Sequence, residues 1–212
     1  WYWLDNGTRA VDWQHIGSWW YWFDPSTGKA AQNEILHIGS YSYAFNSGCG
    51  MCSNGWALLD GTWYWTTRDG NLVSGWIRVG GSWYWLDTAM RVGWARIGSD
   101  LYHLSSSGAM DTGWLYTNGS WYWFDPTIGS MRTGWQLIGS TWYYLDTNTG
   151  AMETGWVPIG DEWYYLNSSG AMQYSCWLGN YYLTSSGAMA KSQWIGPYYV
   201  DEDGRWIPNK ER

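Results

Sequence analysis

Indole and phenol rings recur along this chain at a spacing that can build the same apolar pocket many times over. A triplet centred on tyrosine returns eleven times, from Trp1-Tyr2-Trp3 and Trp20-Tyr21-Trp22 to Asn180-Tyr181-Tyr182 and Pro197-Tyr198-Tyr199, and its middle residue never changes. A further tryptophan opens each unit, at Trp13, Trp56, Trp76, Trp94, Trp114, Trp135, Trp156, Trp177 and Trp194, with Ile35 in the one missing place. All 7 methionines (Met51, Met90, Met110, Met131, Met152, Met172 and Met189) stand just ahead of one of these openers. A flexible thioether beside ring faces can form one wall of an adaptable apolar pocket. Rings that are apolar on the face and polar at the edge suit a surface that is dry in the middle and wet around it. Repeated along one face of a chain, such rings point to an adhesive module.

The elements that must hold these rings follow from the period. Openers recur at steps of about 17 to 22 residues. That is room for two strands of about five residues, a tight turn and a linker. Asp60-Gly61, Gly80-Gly81 and Asn118-Gly119 lie between opener and triplet, and such dipeptides favour the primed turns that join antiparallel strands. Each unit therefore reads as a β-hairpin, opener strand first and triplet strand second. The linker repeats as well, as Gly108-Ala109-Met110, Gly150-Ala151-Met152, Gly170-Ala171-Met172 and Gly187-Ala188-Met189. Isolated hairpins are marginal, so stability must come from stacking on neighbours. The predicted fold is all-β, a solenoid-like superhelix of about ten stacked hairpins of about 20 residues each, forming one domain over residues 1–212.

Neighbouring residues on a strand point to opposite faces. The middle Tyr and the aliphatic residue two places on (Leu86, Phe124, Leu145) then share one face, expected to pack between units. The opener and the outer triplet rings share the other, expected to bind. The degenerate unit supports this division, since Ile35, Ser42 and Ala44 replace all three proposed binding rings while Tyr43 and Phe45 remain.

Composition narrows the function. Tryptophan numbers 23 and phenylalanine 3, so the rings are not generic core filling. A net charge of −7 offers no basic patch to neutralise phosphates, which argues against nucleic acid as a partner and is permissive for cationic ligands. There is no apolar run of about 18 residues to span a membrane. The chain opens inside a repeat with no visible signal peptide and reads as a piece of a longer surface protein or cell-wall enzyme. Cys49, Cys52 and Cys176 lack the second pair a zinc site needs and read as a local disulfide or free thiols. His15, His37 and His103 stand in different units. With no catalytic triad, phosphate loop or metal motif, the chain is expected to be no enzyme and to need no cofactor. The Asp161-Glu162 and Asp201-Glu202 pairs read as exposed turns.

The segment from Thr133 through Gly134-Trp135 and Thr141-Trp142-Tyr143-Tyr144 to Asp146, followed by Gly150-Ala151-Met152 and Gly155-Trp156, resembles the cell-wall-binding repeats of the choline-binding family of Gram-positive bacteria and their phages. The resemblance extends over almost the whole chain. It implies an extracellular module on the bacterial surface that anchors to choline-bearing teichoic acid or another cell-surface glycopolymer, with choline held in aromatic cages between successive hairpins. Carried onto this sequence it implies four sets of ligand-binding residues. They are Trp76, Trp83 and Trp85 with Met90, Trp114, Trp121 and Trp123 with Met131, Trp135, Trp142 and Tyr144 with Met152, and Trp156, Trp163 and Tyr165 with Met172. Ser42, Ala44, Leu101, His103, Asn180 and Pro197 break the pattern, and their units are expected to lack a cage. Related repeats bind glucans, so a polysaccharide ligand remains the alternative reading, and a structural spacer or adhesin stalk a third. Asp24, Asp87, Asp125 and Asp146 follow the triplets and could either open turns or meet sugar hydroxyls. An enclosed three-ring cage would favour choline, and an open platform flanked by carboxylates would favour glucan.

Overall fold

The structure, a computed structural model, describes residues 1–211. Among them there is no helix, and hairpin follows hairpin along the chain. After a short ladder of Leu4–Asp5 with Thr8–Arg9 come ten antiparallel hairpins, from Asp12–Ile16 with Trp19–Phe23 to Gln193–Ile195 with Tyr198–Val200. The expected all-β stack of hairpins is the observed architecture. The chain gathers into two compact units, one of Trp1–Ile97 with His103–Met110, the other of Gly98–Tyr102 with the chain from Asp111 onward.

Two turn chemistries close the hairpins. At Asn118-Gly119 both residues take positive φ (52° and 82°), the geometry that matches the right-handed twist of paired strands. At Gly139, Gly160 and Gly179 a glycine supplies the first positive φ instead. The opener strand then lies against the triplet strand in one register throughout: Trp114 opposite Trp123, Trp135 opposite Tyr144, Trp156 opposite Tyr165.

The core of each unit is built from aliphatic and phenyl side chains that recur once per hairpin. Leu86, Leu104, Phe124, Leu145, Leu166, Leu183 and Val200, each two places after a middle Tyr, are all fully buried. Each such side chain contributes about 1.5–3 kcal/mol relative to exposure. The linkers complete the burial. Met152 bridges back to Leu145 and Met172 to Leu166, while their N–H groups donate to the carbonyls of Trp121 (2.8 Å) and Trp142 (2.9 Å) of the preceding hairpin. One linker therefore sews two hairpins together and fixes where its methionine sits. Between Asp87 and Ala89 the linker is shorter, and Ala89–Met90 joins its neighbours as a full strand, giving a five-stranded sheet.

The first triplet departs from the pattern. No strand runs over Trp1, Tyr2 and Trp3, and all three rings are exposed. Cys49, Cys52 and Cys176 are free thiols, and burial pushes the first two thiols above their ordinary pKa, so they stay protonated. Among the described residues no three His, Cys, Asp or Glu side chains converge as a metal site, and no helix is long and apolar enough to cross a membrane.

Candidate functional site

Within each compact unit, stacking sets one face of a hairpin against the opposite face of the next, and ring-walled cavities open at several of these junctions. Trp135 and Trp142 stand on one face of their hairpin with ring planes at 89° and centroids 6.2 Å apart. Tyr164, the middle residue of the next triplet, meets Trp135 at 4.9 Å and 69°. These three rings with Met172 and Ser186 line a cavity of about 310 Å³. The preceding junction repeats the arrangement. Trp114 stands at 87° to Trp121 and 68° to Tyr143, and with Met152, Ser168 and Ser169 they line about 290 Å³. In the other unit Trp13, Trp20, Tyr43, Met51 and Asp69 line an open cavity of about 290 Å³. Near-perpendicular rings make the corner of a box, with several π faces turned toward one small volume.

The sequence-derived groups are regrouped by this geometry. Opener and first triplet ring do share a wall, as in Trp114 with Trp121 and Trp135 with Trp142. The third triplet ring lies on the far side of the opener: Trp123 packs on Trp114 at 5.2 Å, Tyr144 on Trp135 at 5.1 Å and Tyr165 on Trp156 at 5.3 Å. The middle Tyr, expected to serve packing alone, lines the cavity of the preceding hairpin while also packing on its Trp. The methionine comes from one linker further along, so Met152 faces Trp114 and Trp121, and Met172 faces Trp135 and Trp142. Trp76 packs with Trp83 at 6.4 Å and with Trp85 at 5.4 Å. Met90 pairs back onto Leu86 of that hairpin, and Met131 onto Phe124. Trp163 keeps the outward position of its counterparts, 40% exposed against 42% for Trp142 and 43% for Trp121. The same ring is thus partly exposed in hairpin after hairpin.

The residues that sequence reasoning missed are therefore the middle tyrosines, Tyr43, Tyr143 and Tyr164, and the small residues of the following turn. A signal for them was present in the degenerate unit. There Ile35, Ser42 and Leu72 replace opener, first ring and methionine. Ile35 and Leu72 pack with Ala44, Ala57, Leu59 and Tyr64 into a closed aliphatic cluster. Tyr43 survives because it belongs to the intact cavity of Trp13 and Trp20 before it.

A glycine makes room for Met51, Met90, Met131, Met152, Met172 and Met189. A Cβ on Gly187 would lie 2.6 Å from Met172 Sδ and 2.8 Å from its Cε, and Gly187 sits at φ +87°. Gly187→Ala should therefore push Met172 off its wall and strain the turn at a cost of about 1–2 kcal/mol. A fall in melting temperature together with weaker ligand binding at the Trp135 cavity is the expected result.

Three of the four triplet-following carboxylates, Asp24, Asp125 and Asp146, are turn-builders. Asp24 Oδ1 accepts from Ser26 N at 3.0 Å and Thr27 N at 2.8 Å. Asp125 Oδ1 accepts from Thr127 N and Ile128 N, and Asp146 Oδ1 from Asn148 N and Thr149 N. Asp87 pairs with Arg91 at 2.5 Å. Asn46 and Asn167 occupy the same place with a neutral acceptor, so the turn needs the oxygen and not the charge. Hydroxyl bonds from Ser26 and Thr27 hold the Asp24 carboxyl down to about 2, from an ordinary 3.8. The Arg132 guanidinium, 2.6 Å away, and the turn N–H groups do the same for Asp125, also to about 2. Both groups are ionised more readily folded than unfolded, so their stabilisation is complete above about pH 4 and fades as pH falls toward 2. Asp125→Asn should flatten the decline of melting temperature between pH 5 and pH 2 by lowering the melting temperature at pH 7, with little change at pH 2, where the native carboxyl is itself losing its charge.

The fold and its cavities define a repeat module that presents small aromatic boxes in series. Family comparison agrees residue range by residue range. Choline-binding repeat models match residues 92–131, 118–154 and 171–206, and a cell wall binding repeat model matches residues 74–88 and 154–172. Choline binding protein F of Streptococcus pneumoniae, solved in the presence of a peptidoglycan analogue, is 30% identical over 95% of this chain and 87% of its own, with a TM-score of 0.73. CbpJ from Streptococcus pneumoniae TIGR4 is 27% identical over 97% and 96%, also at 0.73. The modular autolysin LytC of the same species is 27% identical over 93% of this chain and 46% of its own, at 0.67. No curated protein sequence matches the chain significantly. The chain belongs to the choline-binding repeat family.

Proposed function

We propose that this chain is a non-catalytic anchor over residues 1–212. It holds the protein that carries it to choline-bearing teichoic acid on the outside of a Gram-positive cell, one quaternary ammonium per cage. The observation that carries this reading is the cavity of three rings and a methionine, recurring with the same parts at Trp13, Trp114 and Trp135. A quaternary ammonium has no N–H to donate and must be recognised by ring faces and dispersion, at about 0.5–2 kcal/mol for each ring. The serines at two of the cavities are neutral, and Asp24, Asp125 and Asp146 spend an oxygen inside their own turns. A sugar would find few polar partners for its hydroxyls there. Three rings, less the cost of association, amount to a dissociation constant on the order of 1 mM. The similar choline binding protein F of Streptococcus pneumoniae, solved in the presence of a peptidoglycan analogue, fits such a role.

Millimolar choline should raise the melting temperature and change tryptophan fluorescence, with glucose oligomers inert. A response to the oligomers and none to choline would reverse the ligand assignment in favour of a glucan. The Trp13 cavity differs from the others in its rim, where Asp69 stands in the turn position that Ser169 and Ser186 hold elsewhere. An exposed carboxylate beside a bound cation contributes about 0.2–1 kcal/mol and is screened by salt. Asp69→Ser should weaken choline at this cavity about two- to fivefold in low salt, and hardly at all in high salt, as read by titration of the single site.

A further inference from the structure

The geometry points to an additional ligand cavity near the end of the described chain, built by Trp177, Tyr198 and Trp206 from a different set of parts. The inference rests on the reading of the regular cavities as quaternary-ammonium cages and extends it to a unit in which Asn180 stands in place of the outward tryptophan. The Trp177 hairpin is short, with strands Cys176–Leu178 and Tyr181–Leu183. Its turn falls at Gly179 and Asn180, where a regular hairpin carries its outward tryptophan. One ring of the cage is thereby lost.

The backbone shows where a ring is regained. In regular units the methionine bridges the buried aliphatic residue and donates its N–H to the carbonyl of the first triplet residue, as Met189 does to Leu183 and Trp163. Trp206 makes both of these connections one unit later. It pairs with Val200, and its N–H donates to the Asn180 carbonyl at 2.8 Å. Trp206 therefore occupies the methionine position, and an indole replaces the thioether in the unit where the outward indole is missing.

The three rings enclose a comparable space. Trp177 meets Tyr198 at 5.6 Å and 86°, and Trp206 meets Tyr198 at 5.7 Å and 89°. With Gly179 they line a cavity of about 260 Å³, against about 290–310 Å³ for the regular cages. The corner ring has changed from the opener to the middle tyrosine, so two indoles flank a phenol in an open trough. Trp177 and Trp206 are each 37% exposed, leaving their faces accessible. The neighbouring Arg205 directs its Nε to the Tyr181 hydroxyl at 3.2 Å, the ring that meets Trp156 of the preceding hairpin. The ligand class that fits is a quaternary ammonium, since the lining offers ring faces and no charged acceptor.

Fluorotryptophan labelling of the whole chain, with resonances assigned through Trp→Phe variants, separates this cavity from the others during titration with choline chloride against sodium chloride. The expected result is a saturable shift of the Trp177 and Trp206 resonances beside that of Trp142. Trp206→Met restores the residue found in the other linkers and so should fold, yet it should weaken choline at Trp177 about tenfold, leaving the Trp142 response unchanged. Trp206→Phe keeps a ring and should retain most of the affinity. A Trp142 response without one at Trp177 and Trp206 would overturn the inference and leave the regular cages standing. Undiminished choline affinity at Trp177 in Trp206→Met would also overturn it, because Trp206 would then be no wall. Silence of every tryptophan would remove the cage reading and this inference together.

Discussion

Tyr164→Ala is expected to empty the Trp135 cavity of ligand and to loosen two hairpins in the same stroke. The Tyr164 ring is half-buried and sits 4.9 Å from Trp135 of the preceding hairpin. Removing a large aromatic from full burial costs about 3–5 kcal/mol, and a half-buried one about 2–3 kcal/mol by the same measure. Choline binding at this junction should disappear even under conditions where the chain is still folded. Trp142→Ala gives the contrasting result. Its ring is 42% exposed and meets Trp135 edge-on at 6.2 Å, so its loss should cost about 1–2 kcal/mol of stability, less than that of Tyr164, while binding falls as far. Melting curves and choline titrations on both variants decide the matter. Intact affinity in folded Tyr164→Ala would show that the middle tyrosine packs without contributing to the cage.

That contrast marks the boundary of what local sequence could reveal. The period, the hairpins and the turns were legible because each depends on residues a few places apart: Asn118-Gly119 dictates a primed turn, and alternation along Thr141–Leu145 dictates two faces. The burial of Leu86, Phe124 and Leu145 was legible for the same reason. The clustering of every methionine at one position drew attention to the linker. Which surfaces meet was not legible, because alternation assigns a residue to a face and says nothing of what lies against it. Stacking sets the Trp135 face of one hairpin against the Tyr164 face of the next, so a division into a binding face and a packing face dissolves at the junction. Tyr144 belongs to the right face and still falls behind Trp135, since it lies directly opposite that residue in the ladder. The methionine is displaced by one unit because its linker reaches back to the Trp142 carbonyl of the hairpin before. Only the survival of Tyr43 beside Ser42 and Ala44 carried the inter-hairpin relation into the sequence. The triplet-following aspartates were ambiguous between turn and ligand in the sequence, and the structure places one oxygen of Asp24, Asp125 and Asp146 inside its own turn.

Silencing two cavities together should cost far more on a polymer than on free ligand. Each cage alone, at a dissociation constant on the order of 1 mM, would release a single choline quickly. Cages in series facing a repeating polymer convert the second and later contacts into intramolecular ones, with gains of about 10²–10⁴ in avidity. Trp121→Ala with Trp142→Ala removes the outward ring from the adjacent cavities at Trp114 and Trp135, both within one compact unit. Free-choline affinity at the Trp13 cavity should stay as it was, because that site lies in the other unit and shares no residue with the altered ones. Retention on a choline-bearing polymer or resin should nevertheless fall about 10²-fold or more, and each single variant should fall by less than half of that on a logarithmic scale. The steep dependence on site number arises because every lost contact also lowers the effective concentration at the others. A simple proportional loss, with two cages removed costing no more than the sum of their free-ligand contributions, would mean that the cages bind independently and that the repeat has some purpose other than avidity.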